Sequence, residues 1–176
     1  TLHVETLSGI KTLKLTTGED GCVTHVKVDM GKADFAPESV PVLSDDPFIN
    51  MPLEVLGETY LTTCVSMGNP HAVTYVDTPA DINLELIGPV FEKHKLFPNR
   101  INTEFIRVNN RYTIEMRVWE RGSGETWACG TGACAATAAS VKLGLCDAGV
   151  PVTVKLLGGE LQITVNEDWQ VYMSGP

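Results

Sequence analysis

Apolar and polar residues alternate over much of the chain, and this alternation predicts short strands. KTLKLTT and CVTHVKVDM both alternate, and the turn-forming TGEDG lies between them. We therefore expect three strands over residues 1–28 and an irregular, proline-containing connection over residues 31–50. The following run, LEVLGETYLTTCVSMG, predicts a hairpin that turns at Gly57, and HAVTYVD predicts another strand.

Two stretches carry a helical pattern. Residues 83–94 place apolar side chains on one face, with Asp81 as the expected N-cap and Pro89 expected to kink or restart the helix. ACAATAASVKL favours a second helix that ends at Gly144. INTEFIRVN and YTIEMRVWE predict a hairpin around NNR, and VPVTVKLL, ELQITVN and WQVYMSG predict three more strands. Most links are short enough for antiparallel pairing, so the predicted fold class is α+β.

Charge and composition narrow the function classes. The chain has 22 acidic and 13 basic residues, a net charge of -9, and no cluster of Lys and Arg that could replace the counterions of a nucleic acid. No apolar run approaches the roughly 20 residues of a membrane span, and we expect no secretory leader. The five cysteines are odd in number and irregularly spaced, which predicts free thiols in a reducing cytoplasm.

The small-residue stretch GSGETWACGTGACAATAAS contains the strongest candidate chemistry. Cys129 lies at the expected start of the second helix, beside Gly130. The first amides of a helix lack internal partners and its dipole favours negative charge, so we expect the helix end to lower the pKa of Cys129. The same amides can hold a carboxylate or a phosphate. The remaining cysteines are expected to be buried and inert: Cys22, Cys64, Cys134 and Cys146.

Three other interpretations of this stretch are weaker. No lysine follows the glycines as in a phosphate-binding loop, and no His near Cys129 and Cys134 completes a metal site. GTGACA fits a loose dinucleotide-binding fingerprint, but an eight-residue loop separates the preceding strand from the glycines. The next strand also ends without an acid for the ribose.

Two further segments bring candidate site residues. WERGSGE leads into the cysteine loop with Glu120, Arg121 and Glu125, which either form a solvated rim or orient the thiol and hold a charged substrate. His71 follows the Asn-Pro turn of SMGNPHAV and is either a structural histidine or a general base.

Taken together, MGNPHAV and ERGSGETWACGTGACA resemble the diaminopimelate epimerase family closely, and FPNRINTEF resembles its substrate-contacting segment. The resemblance extends through essentially the whole chain. It implies two similar lobes, each with a curved, mostly antiparallel sheet around a central helix, and one cysteine per lobe on opposite sides of the substrate α-carbon. The implied reaction interconverts LL- and meso-diaminopimelate without a cofactor or a metal, in lysine and peptidoglycan synthesis.

The resemblance also implies roles for individual residues. Cys129 matches the catalytic cysteine of the second lobe, and Glu120 matches the acid paired with it. His71 matches the histidine that assists the cysteine of the first lobe. The substrate-binding positions match Asn69, Asn102, Glu120, Arg121, Gly130 and Thr131.

The family's earlier Cys-Gly-Asn-Gly motif has no match in this chain. The resemblance therefore implies that residues 1–29 are the last strands of the first lobe, that residues 30–176 are the second lobe, and that the chain alone is inactive. It further implies a cytoplasmic or plastid location and a homodimer at full length, with no nucleic-acid or membrane partner. A related proline or hydroxyproline racemase, and a noncatalytic binding domain on the same scaffold, stay open as alternatives.

Overall fold

A computed structural model describes residues 1–6 and 9–176. Its described part contains twelve strands, two α-helices and one 3-10 turn, Pro79–Asp81. The helices are α1 (Leu84–Glu92) and α2 (Gly130–Lys142). The strands are β1 (Leu2–Thr6), β2 (Gly9–Thr17), β3 (Val23–Lys32), β4 (Met51–Val55), β5 (Glu58–Ser66), β6 (Pro70–Tyr75), β7 (Asn102–Asn110), β8 (Thr113–Glu120), β9 (Gly124–Thr126), β10 (Val152–Leu156), β11 (Gly159–Val165) and β12 (Gln170–Gly175).

All twelve strands join one sheet in the order β1-β2-β3-β12-β11-β10-β8-β7-β6-β5-β4, and β9 pairs with β8 beside this path. The pairs β6–β7 and β8–β10 are parallel and the others are antiparallel, which confirms the mixed α+β class. An antiparallel bridge between Asp34 and Ser66 joins the end of β3 to β5. The strands from β3 round to β5 therefore close on themselves.

Helix α2 fills the space inside this closed part of the sheet. It contacts seven strands, β5 to β8 and β10 to β12. Every residue from Gly132 to Ser140 is buried, and small side chains allow strands to approach the helix from all sides. The Thr137 and Ser140 hydroxyls donate to the backbone carbonyls of Ala133 and Ala136, which satisfies their polar atoms within the helix.

Helix α1 packs on another part of the sheet and differs from its prediction at its start. Asn83, not Asp81, is the N-cap, because the Asn83 side chain accepts from the Leu86 amide at 3.3 Å while Asp81 lies in the 3-10 turn. The helix also continues through Pro89 instead of restarting there. The preceding Gly88 has no Cβ to clash with the proline ring, which relieves the usual restriction before proline.

Most other elements match their predictions. The Gly57 hairpin, the three N-terminal strands and the helix end at Gly144 are confirmed. The prediction of an eight-residue loop before α2 is wrong in part, because β9 lies within this segment and pairs with β8. The turn between β8 and β9 contains Gly122 at φ 81°.

The cysteines follow their predictions with one exception. None of the five forms a disulfide, and Cys64, Cys134 and Cys146 are buried. Cys22 is exposed, so its predicted burial is wrong: it lies at the end of the surface turn between β2 and β3.

The N-terminal strands differ from the remainder in burial. None of the described residues up to Lys32 is buried, and Ala33 is the first that is. Strand β3 runs through the boundary predicted after residue 29, and its Val26–Lys32 part pairs with β12. The division into residues 1–29 and 30–176 stays a prediction. Within the described ranges, neither helix has the length and hydropathy needed to cross a membrane.

Candidate active site

Cys129 is the N-cap of α2 and the centre of the candidate site. Its backbone is extended, with φ -136° and ψ 103°, and its Sγ accepts a hydrogen bond from the Gly132 amide at 3.3 Å. The Thr131 hydroxyl lies 3.6 Å from the same sulfur. The residue is only 7% exposed. The thiol therefore occupies the place of a capping oxygen at the start of a buried helix.

The pKa of Cys129 is raised, to about 11, so the expectation of a lowered value is wrong. Burial is the largest cause, and the nearby Glu104 carboxylate is the second. The hydrogen bonds from Thr131 and Gly132 act in the opposite direction but are outweighed, and Glu120 adds a smaller increase. Cys129 is therefore a protonated thiol at neutral pH.

His71, on β6, connects to this thiol through a chain of polar contacts. Its Nδ1 lies 2.7 Å from Glu104 Oε1, and its Nε2 lies 3.0 Å from Asn69 Oδ1. The Asn69 amide nitrogen donates to Thr131 Oγ1 at 3.3 Å. The structure thus brings together four residues that the sequence predicted: His71, Asn69, Thr131 and Cys129.

Glu104 is the site residue that sequence reasoning missed. It lies on β7, two residues beyond Asn102, which pairs with His71 across the parallel strands, so Glu104 and His71 share one face. A methyl group added to Gly132 would lie 2.7 Å from Glu104 Oε1, so this glycine makes room for the carboxylate beside α2. An acid within the β-rich run INTEFIRVN was the only signal in the sequence.

Glu120 and Arg121 lie at the end of β8, where the chain turns into β9. Glu120 Oε1 accepts from the Thr126 hydroxyl at 2.5 Å. The Arg121 amide donates to Asn102 Oδ1 at 2.9 Å, while the Arg121 side chain is exposed and donates to Asn99 O at 3.1 Å.

Asn102 and Glu125 have clear structural partners. The buried Asn102 amide also donates to Pro70 O at 3.0 Å, so this side chain ties the start of β6 to the turn at Arg121. Glu125 accepts from Arg117 Nε at 2.7 Å, and the two side chains are only 17% and 21% exposed, so Glu125 is a structural partner of Arg117 and not part of a solvated rim.

A pocket of about 480 Å³ opens beside Asn69 and Thr131, between the N-terminal strands and the start of α2. Lys11 and Lys32 line its wall, and Lys32 Nζ pairs with Asp168 at 3.1 Å. Gly130 begins α2 close to β12, where an added methyl group would lie 3.0 Å from Met173 Sδ. The pocket is thus placed to expose the first turn of α2 to an anionic ligand. Across residues 1–6 and 9–176, no group of three or more His, Cys, Asp and Glu side chains could hold a metal ion.

A central helix surrounded by a closing sheet defines the class of fold. A hydroxyproline epimerase from Agrobacterium vitis with bound trans-4-OH-L-proline has this fold, with a TM-score of 0.71 over 99% of this chain and 56% of that chain. A Bacillus anthracis phenazine biosynthesis protein matches with a TM-score of 0.64 over 98% of this chain and 64% of that chain. Their sequence identities of 15% and 17% limit the likeness to the fold.

The sequence is more specific, because the family model for diaminopimelate epimerase matches residues 63–176. The chain belongs to the diaminopimelate epimerase family. The diaminopimelate epimerase of Acetivibrio thermocellus is 55% identical over 177 residues, which cover 99% of this chain and 62% of that protein. The one from Methanococcus maripaludis strain S2 is 51% identical, covering 100% of this chain and 63% of that protein. The chain thus spans less than two thirds of the length of these relatives.

Proposed function

We propose that this chain is the Cys129-bearing lobe of an enzyme that interconverts LL- and meso-diaminopimelate with two thiols and no cofactor. The observation that carries the proposal is the position of Cys129, which caps a buried helix next to a pocket. Inversion at a carbon requires proton removal on one face and proton delivery on the other. Cys129 serves one face, and a cysteine of the first lobe serves the opposite face.

In this mechanism Cys129 enters as the acid. The thiolate of the other lobe removes the α-proton, and the electron pair of the C–H bond stays on the α-carbon. Cys129 then delivers its proton to the opposite face and becomes a thiolate. The Gly132 amide and the Thr131 hydroxyl stabilise this thiolate, since both already contact Sγ. In the reverse direction the two thiols exchange roles.

The substrate is held by residues around the start of α2. The amides of Gly130 and Thr131 bind the α-carboxylate and offset the charge that develops when the α-carbon loses its proton. Glu120 and Arg121 bind the distal ammonium and carboxylate by charge-assisted hydrogen bonds. Asn69 and Asn102 complete the set, and Asn102 also holds the Arg121 backbone in place.

The proposal assigns residues 1–29 to the first lobe and residues 30–176 to the second. The absence of buried residues in the described part of β1 to β3 supports this division. Exposed apolar side chains at Leu2, Val4 and Ile10 also suit strands that pack against further protein. Assembly into a homodimer and a cytoplasmic or plastid location belong to the same proposal.

The test is turnover by the chain alone and by the chain joined to a first lobe that carries the second cysteine. The joined protein should interconvert LL- and meso-diaminopimelate, and the chain alone should not. Cys129→Ala should lower turnover by roughly 10²–10⁴-fold, the usual contribution of a positioned acid or base. Cys146→Ala is the control, because this buried thiol follows the opposite end of α2, where Arg111 and Asp147 are the charged groups that act on it.

Three results would contradict the proposal. Turnover by the chain alone would show that one thiol is enough. Unchanged turnover in Cys129→Ala would remove its central residue. Conversion of proline or hydroxyproline but not diaminopimelate would favour the related racemase.

A further inference from the structure

The His71–Glu104 pair is the most unusual polar feature of the interior. Both side chains are fully buried, and their contact is 2.7 Å long. Glu104 Oε2 has no hydrogen-bond partner in the described part of the chain. Burying a charged pair costs desolvation energy, and an unsatisfied oxygen adds to that cost. Packing alone therefore gives no reason for an acid at this position.

The hydrogen bonds around His71 determine where its protons lie. Asn69 donates through its nitrogen to Thr131, so its oxygen faces His71 Nε2, and Nε2 must carry a proton. Nδ1 faces Glu104 Oε1. That carboxylate lies against Gly132 in the first turn of α2, where the helix dipole stabilises negative charge. Nδ1 then carries a proton as well.

We propose that Glu104 is a positioning residue that polarises the site: it holds His71 as a doubly protonated imidazolium on the Asn69 side and presents its negative charge to Cys129 on the α2 side. This inference rests on the proposed function and names a residue that the matched family motifs do not assign. Its consequence is that His71 has no free lone pair and does not act as a general base. It acts as a cation.

His71 and Glu104 favour opposite protonation states: His71 favours a thiolate at the first-lobe cysteine, and Glu104 favours a protonated thiol at Cys129. A cation next to Asn69 stabilises a thiolate that the other lobe brings into the pocket. The Glu104 charge, after burial, is the second cause that raises the pKa of Cys129 and keeps it a thiol. A two-thiol epimerase needs this asymmetry, one base and one acid, before substrate binds.

Few other ionisable groups act on this region. Glu120 lies at the end of β8 and adds a smaller increase to the pKa of Cys129. Cys64, on β5, is buried near Glu104, and its own pKa is raised by burial and then by that carboxylate. Lys11 and Lys32 line the pocket on the Asn69 side. Glu104 is therefore the group whose removal should change His71 and Cys129 together.

The experiment compares the chain with its Glu104→Gln variant, which keeps the shape and removes the charge. In ¹⁵N-histidine NMR at neutral pH, wild-type His71 should show both ring nitrogens protonated. In Glu104→Gln one proton should be lost, because an unpaired buried cation is costly. Iodoacetamide should alkylate Cys129 about 3–10-fold faster in the variant at a fixed pH, since the rate follows the thiolate fraction.

Two controls separate this effect from loosening of the fold. Cys146 is an internal reference, because burial also raises its pKa to about 11 while its other influences are Arg111 and Asp147. Its alkylation rate should not change. Glu92→Gln is the matched variant, because Glu92 is also a buried acid but binds the Trp119 indole and the Gly122 amide. It should leave His71 and the Cys129 rate unchanged.

The outcomes are distinct. A neutral His71 in the wild-type chain would overturn the proposal by itself, so the test holds even if Glu104→Gln does not fold. An unchanged Cys129 rate in a folded Glu104→Gln variant, or equal acceleration of Cys129 and Cys146, would also overturn it. None of these measurements uses substrate. Failure of the joined protein to epimerise diaminopimelate would refute the proposed function and leave the NMR and alkylation results standing.

Discussion

Each of the two helices lies in the chain between two parallel strands, but their surroundings differ. Helix α1 links the parallel strands β6 and β7, and α2 lies between the parallel strands β8 and β10 in the chain. Helix α1 has a buried apolar face and an exposed face, where Leu86 is 62% exposed. Helix α2 is buried on all sides over most of its length. The N-cap of α2, Cys129, is buried, whereas the N-cap of α1, Asn83, is exposed.

Both helices have a side-chain N-cap and a glycine that makes room for a neighbouring side chain, but the groups involved differ. Each helix has a capping side chain that accepts from the third following amide at 3.3 Å, Asn83 in α1 and Cys129 in α2. Each also has a glycine that admits a side chain from the sheet. Gly88 admits the Trp119 ring, and Gly132 admits the Glu104 carboxylate. The capping contact and the admitting glycine are therefore common to both, and the chemistry of the admitted groups separates a packing helix from a candidate catalytic one.

The largest expected effect is the loss of stability in Gly88→Ala, a substitution in α1. The new methyl group would lie 2.3 Å from Trp119 Cδ2 and would clash with this buried indole ring. Overpacking costs about 1–3 kcal/mol, and this close contact belongs at the upper end, above the gain of about 1 kcal/mol in helix propensity. Urea unfolding should show the loss. The exposed Leu86→Ala should stay within about 0.5 kcal/mol of wild type, and a stabilised Gly88→Ala would refute the packing account.

A smaller loss is expected at the α1 cap. Asn83→Ala removes the acceptor of the Leu86 amide and should lower the free energy of unfolding by about 1 kcal/mol. Asn83→Asp keeps an acceptor and should retain most of the stability. Thermal or urea unfolding measures both variants. The alkylation rate of Cys129 should be the same in all three proteins, and a change in it would mean that the two helix starts are coupled.

The smallest effect at neutral pH is expected at the α2 cap. Because the pKa of Cys129 is raised to about 11, iodoacetamide should react slowly at pH 7 and about tenfold faster per pH unit up to that value. The exposed Cys22 should label first. Because the pKa of Cys129 is raised on folding, the protonated thiol contributes to the free energy of unfolding. This contribution is fully present below pH 9, the ordinary pKa of a thiol, and is lost as the pH rises towards 11. Peptide mapping that finds Cys129 labelled before Cys22 at pH 7 would contradict this.

Local sequence patterns identified the parts of the site that lie close together in the chain. Cys129 and Gly130 follow from one small-residue stretch and His71 from one turn, whereas Thr131 and Asn69 were named only through the family resemblance of those two stretches. The strands were predictable for the same reason, because alternation and turn residues are local signals. The cap of α1 was misplaced by two residues, because Asp81 and Asn83 are both acceptable N-caps and only the 3-10 turn decides between them.

Properties that depend on the closed sheet were not predictable. Glu104 meets His71 only because β6 and β7 pair in parallel across 33 residues of sequence. The raised pKa of Cys129 follows from burial inside the sheet and from this same carboxylate, neither of which a helix-start pattern contains. The exposure of Cys22 depends likewise on which strands cover the β2–β3 turn.

The most direct test of the central claim is hydrogen exchange at the substrate α-carbon in deuterated water. It uses the Cys129→Ala variant of the chain joined to a first lobe, with LL- and meso-diaminopimelate supplied separately and followed by NMR. In the proposed mechanism Cys129 serves one face only, so the remaining thiol should exchange the α-proton of one configuration and not of its epimer. Equal residual exchange into both configurations would mean that a single group reaches both faces, and the role proposed for Cys129 would be wrong.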